Sequence, residues 1–191
     1  MKFTDENSTI LHEVGHFLMY TLYLTSKRNF SREVFISEMI EISIVPVGDS
    51  IGHIRTRSDI EKKRFGLCRP FVLLGGVLSS LYFVDHVWET KFSSVHEIKS
   101  NFSDIYSDHG GGKDLLTLLK NDRSMGYEKT ARYIYELRKI MFDLWDNRTI
   151  RKIVRQLYRG LQKDRCLRSE RCYNIIKPHV PELKKTWTTH I

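Results

Sequence analysis

His12-Glu13-Val14-Gly15-His16 is the stretch on which the reading of this chain turns. A helix turns once per 3.6 residues, so side chains four apart leave from one face and both imidazoles can reach a single ion. Glu13 comes from the same turn, beside the two ligands and not required as one. It is placed to accept a proton from a zinc-bound water and pass it to a leaving amine. The flanks predict the helix itself: Ile10, Leu11, Val14, Phe17, Leu18 and Leu22 recur at a spacing close to 3.6. Thr4 or Ser8 is expected to cap its start, with Asp5 and Glu6 near the positive end of the dipole. Gly15 costs about 1 kcal/mol in a helix interior relative to alanine, so it signals close packing against a neighbour.

Working outward, 191 residues suit one domain with a substantial core, and 41% hydrophobic residues argue against disorder. The expected division is a zinc-site half over 1–120 and a helical half over 121–191. The N-terminus is polar and no signal peptide is expected. The longest apolar run, Pro70 to Val84, is too short to span a bilayer and is broken by Gly75-Gly76 and Ser79-Ser80. A soluble, cytoplasmic protein is the expectation. Cys68, Cys166 and Cys172 form no CxxC pair and are odd in number, which suits reduced thiols rather than a disulfide framework.

After the first helix, Thr25 to Ser31 reads as a polar loop. Ile42-Ser43-Ile44-Val45, the turn residues Pro46 to Ser50 and Ile51-Gly52-His53-Ile54-Arg55 read as strand, turn and return strand. Asp59 to Arg69 is charged and opens the next helix. Phe71 to Phe83 is an apolar helix in which Gly75-Gly76 permits close approach to a neighbour. Val84 to Ser107 is less regular, with Trp88 and Phe92 as anchors. Gly110-Gly111-Gly112-Lys113 turns into a helix starting at Asp114. Glu128 to Trp145 and Arg148 to Gln162 are helical patterns, the second with Ile150, Ile153, Val154, Leu157, Tyr158 and Leu161 on one face. A short helix over Ser169 to Ile176 precedes Pro178 and Pro181, which are expected to end regular structure. The class is mainly α with a small β-hairpin.

A catalytic zinc site uses three protein ligands plus a water. The pattern HExxHxxGxxH is excluded, because Met19 and Leu22 stand where its glycine and last histidine would be. Glu38 or Glu41 is a candidate third ligand, although both sit where the chain enters a strand. Asp114 is another, since it follows a glycine turn and opens a helix, a place that also suits an ordinary N-cap.

Four stretches, in order, resemble the peptidase domain of the FtsH family (peptidase family M41), a zincin fold built on an HExxH helix. The HEVGH helix is similar to that family's HEAGH helix, and Ile42 to Gly52 is similar to its "VTIIPRGxxLG" strand-turn-strand. Leu73-Leu74-Gly75-Gly76 resembles "LGGRAAE", and Gly111-Gly112-Lys113-Asp114-Leu115 resembles "GAxNDL". Asn147-Arg148 with Ile150, Ile153 and Leu157 looks like "NRxxLxxIAxxL", and Leu167-Arg168-Ser169-Glu170 looks like the closing "LxGEE" helix. The resemblance implies Zn²⁺ held by His12, His16 and Asp114, with Glu13 as general base and a polypeptide as substrate. Val77, Leu78, Ser79 and Ser80 replace the family's residues after Gly-Gly, and the segments 29–37 and 88–107 look like insertions. There is no GxxxxGK[ST] sequence, so no nucleotide site is expected and hydrolysis would be ATP-independent.

The expected activity is therefore that of a zinc metalloendopeptidase acting on unfolded or extended chains. The hairpin edge would add substrate as a further strand. Asp104 and Asp108 are candidates to orient the ligand histidines, and otherwise serve as surface caps. His53, His86, His96 and His109 are isolated, with His109 nearest Asp114 in sequence. One alternative is an inactive zinc-binding interaction module, against which the intact Glu13 argues. Another is a nucleic-acid binder, drawing on a formal charge of +8 that lies mostly between Arg148 and Arg171. Arg151, Lys152, Arg155, Arg159 and Lys163 lie opposite the apolar stripe, as on any solvated helix face, and no aromatic stacking pattern interleaves the charges. Oligomerisation is left open.

Overall fold

The histidine-bearing segment forms helix α1, Glu6–Ser26, buried on nearly every side. A computed structural model describes residues 6–48, 51–57, 68–80, 82–83, 93–100 and 127–190. The elements are α1, α2 (Arg32–Glu38), β1 (Met39–Ser43), β2 (His53–Thr56), α3 (Cys68–Ser80), α4 (Val95–Ser100), α5 (Tyr127–Asp146), α6 (Arg148–Asp164), β3 (Cys166–Arg168), α7 (Ser169–Ile176) and α8 (Val180–His190). A 3₁₀ turn, Lys177–His179, joins the last two helices. The architecture is mainly helical with a small three-stranded antiparallel sheet.

The expected apolar positions of α1 are all buried, and so are Met19, Tyr20, Thr21, Leu24 and Thr25. A helix enclosed on all faces is a central one, and it draws its stability from packing rather than from one amphipathic stripe. Ser8 lies inside the helix rather than at its cap, and its carbonyl accepts a hydrogen bond from Ser80 Oγ at 3.2 Å. The expected contact at Gly15 is backbone to backbone. A Cβ there would collide with the Gly75 carbonyl oxygen and would stand 2.6 Å from Ser79 Cβ. Ser79 and Ser80 are fully buried at this crossing, where only small residues fit, while Val77 and Leu78 join the core.

The strand-turn-strand segment forms an antiparallel hairpin with Ile42 opposite Ile54 and Ser43 opposite His53, but its bounds differ from expectation. β1 starts at Met39 and ends at Ser43, leaving Ile44 and Val45 outside, and β2 starts at His53 rather than Ile51. β3 was not anticipated. It pairs with the other side of β1, Ile42 facing Leu167, so the strand order is β2-β1-β3 and β1 is the central strand. That narrows the hairpin-edge expectation: β1 is paired on both sides, so of the hairpin's two strands only β2 lies at an edge of the sheet. It also divides Leu167-Arg168-Ser169-Glu170, whose first two residues are strand and whose last two begin α7.

Three further corrections concern helices. The segment 29–37, read as an inserted loop, contains all but the last residue of α2, which is capped by the Ser31 hydroxyl, accepting from Val34 N at 3.2 Å. Val95–Ser100 is helical where the sequence looked irregular. Pro178 and Pro181 do not end regular structure. Each falls near the start of a helical segment, where a first-turn N–H has no intrahelical acceptor and proline's fixed φ is helical already.

α5 and α6 match expectation, and Asn147 caps α6 by accepting from Thr149 N at 2.8 Å and Ile150 N at 3.3 Å. One hydrophobic cluster runs through α1, α3, α5, α6 and α8, with Trp145 fully buried against the rings of Tyr82, Phe83 and Phe142. Cys166 and Cys172 are free thiols. Burial first, and the neighbouring Cys166 second, push the Cys172 thiol up to about 12. No helix among the described residues is long and apolar enough to cross a membrane. Trp88, Phe92, residues 59–67 and the glycine turn with the start of its helix at Asp114 lie outside the described residues.

Candidate metal centre

α1 brings His12 and His16 together as its periodicity requires. Their Nε2 atoms are 2.9 Å apart, with the rings nearly perpendicular at 87°. His16 Nδ1–H donates to the Val72 carbonyl of α3 at 2.6 Å. A carbonyl can only accept, so in neutral His16 the proton sits on Nδ1 and the lone pair on Nε2, aimed at His12. Metal-ligating histidines are characteristically oriented by such a bond from their second ring nitrogen.

The pair fits zinc. At Zn–N distances of about 2.0–2.1 Å, nitrogens 2.9 Å apart subtend roughly 90° at the ion. A tetrahedral angle needs about 3.3 Å, a spread of roughly 0.4 Å that imidazole rotation supplies. Two neutral imidazole nitrogens are also donors of the right chemical kind. Gly76 of α3 faces both of them: a Cβ there would lie 2.8 Å from His12 Nε2 and 2.6 Å from His16 Cε1. Only glycine leaves that space clear.

His16 and Glu13 are 7% and 5% exposed, whereas His12 is half-buried. Glu13 is seated against Gly52, which immediately precedes β2. A Cβ on Gly52 would fall 2.8 Å from Glu13 Cγ and 2.9 Å from its Oε1. The same hairpin exposes Val45, Val47 and Ile51 to solvent.

The structure thus brings His12 and His16 together, with Glu13 on the same turn of α1 and its side chain against Gly52. Asp114 lies outside the described residues, as do Asp104, Asp108, His109 and His86. Glu38 and Glu41 are engaged elsewhere. Glu38 accepts from Tyr20 OH at 3.2 Å, and Glu41 faces His53 and Arg55, each at 3.5 Å. Among the described residues no three His, Cys, Asp or Glu side chains could share an ion. His96 is exposed on α4.

Sequence reasoning missed three parts of the centre. The Val72 carbonyl carries no side-chain signal at all. Gly52 and Gly76 stood within quoted motifs, yet nothing local told which side chains they face. Comparison with protein-family models, with curated proteins and with solved structures finds no match to this chain.

Proposed function

We propose that the protein is a zinc-dependent metallopeptidase that hydrolyses peptide bonds of unfolded or extended polypeptides without a nucleotide. One observation carries this reading: the Nε2 atoms of His12 and His16 converge at 2.9 Å while Val72 holds the far side of the His16 ring. Asp114 as third ligand rests on the motif resemblance. Zinc, when bound, supplies a water whose pKa falls from 15.7 toward about 7 and polarises the scissile carbonyl.

The chain's own residues supply the remainder. Glu13 follows His12 on the same turn, and its side chain lies close against Gly52. Its carboxylate takes the proton of the attacking water and delivers it to the departing nitrogen, so the products are a carboxylate and an amine. Burial at 5% exposure keeps bulk water from competing for that proton. Val45, Val47 and Ile51 offer apolar contact to an unfolded chain.

The test measures bound metal by plasma mass spectrometry and turnover of an unfolded casein substrate. Wild type is expected to hold one zinc, lost in His16→Ala and Asp114→Ala. Glu13→Gln should keep zinc and lose turnover on the order of 10²–10⁴-fold. Wild-type turnover in Glu13→Gln would sink the assignment, and zinc unaffected by Asp114→Ala would remove Asp114 from the ligand set. Stoichiometric zinc with no turnover would favour the non-catalytic zinc module.

A further inference from the structure

A cleft of about 620 Å³ opens between the first turns of α1 and the α6 helix. Leu11, Val154 and Phe83 give it apolar lining, and Arg151, Arg155 and Arg159 stand along its α6 wall at successive four-residue steps. These arginines therefore flank the apolar stripe of α6 and face a concavity, rather than lying on a plain solvated face. Arg151 is committed: it donates to Asp146, to Tyr82 OH at 3.0 Å and to the Trp145 carbonyl at 2.9 Å. Among the described residues no carboxylate pairs with Arg155 or Arg159. Two contacts brace the cleft. Tyr158 OH donates to Asn7 Oδ1, and Arg165 Nη1 donates to Glu6 Oε1 at 3.0 Å, tying the start of α1 to α6.

We propose that this cleft captures an acidic segment of a polypeptide substrate, its carboxylates on Arg155 and Arg159 and a neighbouring apolar side chain against Leu11, Val154 and Phe83. The purpose assigned to it, holding substrate near the centre, rests on the metallopeptidase reading; the binding does not. Two guanidiniums four residues apart make fork-shaped donors for carboxylates, and their attraction counts for more over an apolar lining than in open water. The apolar lining selects against a uniformly charged polyanion, which would leave it without a partner. Leu11 immediately precedes His12, so a chain seated here lies alongside the helix that bears the histidines.

The test is fluorescence anisotropy with a fluorescein-labelled peptide of alternating Glu and Phe, on full-length Glu13→Gln so that the probe stays intact. Arg155→Gln with Arg159→Gln should weaken binding roughly tenfold or more, the scale of at least one lost charge-assisted hydrogen bond. Lys152→Gln with Lys163→Gln removes the same charge from positions that do not line the cleft, and should change binding by less than about twofold. Equal losses from the two pairs would overturn the proposal in favour of general charge attraction. Tighter binding of single-stranded DNA than of peptide, abolished by the same arginine variant, would overturn it in favour of nucleic acid. Removing zinc with a chelator should leave peptide binding intact, so a failed peptidase reading and a failed docking site give different results.

Discussion

The helix that carries the histidines and the helix that carries the arginines share one hydrophobic core, yet opposite means hold them there. α1 is enclosed on all sides and meets α3 backbone to backbone at Gly15 and Gly75. One serine, three threonines, a glutamate and a histidine are buried along it. α6 presents a stripe of Ile150, Ile153, Leu157 and Leu161 to the core and turns its cations outward. Its ends are finished locally, by Asn147 at one and a left-handed Arg165 at the other. What limits α1 is room; what limits α6 is volume to fill. The candidate centre sits on the first kind of helix, because two imidazoles can converge beside a neighbouring helix only where that neighbour's backbone comes close without side chains.

The largest effect expected from this contrast is at the volume-limited helix. Leu157→Ala should cost about 2–5 kcal/mol, the range for emptying a fully buried leucine site, read as a lowered denaturation midpoint at unchanged slope. A loss under about 1 kcal/mol would mean that α6 tolerates voids and that the contrast is wrong on its side. At the room-limited helix the sensitive change is addition. Gly15→Ala gains about 1 kcal/mol of helix propensity but drives a methyl into the Gly75 carbonyl, an overpacking cost of about 1–3 kcal/mol or more. The expected result is net destabilisation together with weakened zinc retention, since α3 also carries Val72 and Gly76. A stabilised variant with full zinc would show that the crossing is looser than described. The smallest effect is Asn147→Ala, which removes the α6 cap and should cost about 1 kcal/mol with zinc content unchanged. A change in zinc content there would mean that the two helices are coupled, and would sharpen the comparison into a single cooperative unit.

Much of this was legible along the chain, for reasons that differ by element. α6 could be read because a one-sided helix writes its burial as a 3.6-residue period. α1 could be read through its residue types instead: HEVGH places two histidines and a glutamate on one turn, and Gly15 announces a close neighbour. The Ile42–Arg55 segment alternates and turns as a hairpin should. By contrast, α2 is seven residues with Phe35 alone buried, and it is braced from outside, by the Tyr173 ring at 5.7 Å and by Glu170 bonding Arg32 at 2.6 Å. β3 is three residues whose partner lies more than a hundred positions away in sequence, and no local pattern encodes such a pairing. Pro178 and Pro181 read as stops because proline breaks a helix interior, whereas at a first turn it is tolerated.

The sequence by itself determined the mainly helical class, the positions of the long helices and the convergence of His12 and His16, since each follows from periodicity within a single element. Tertiary structure alone decided that Val72 orients His16, that Gly52 lies against Glu13, that Gly76 clears the space before the two nitrogens, and that Arg155 and Arg159 face a cleft. Those are relations between surfaces brought together from distant parts of the chain. Backbone carbonyls and missing side chains carry much of that geometry, and neither leaves a mark in residue spacing.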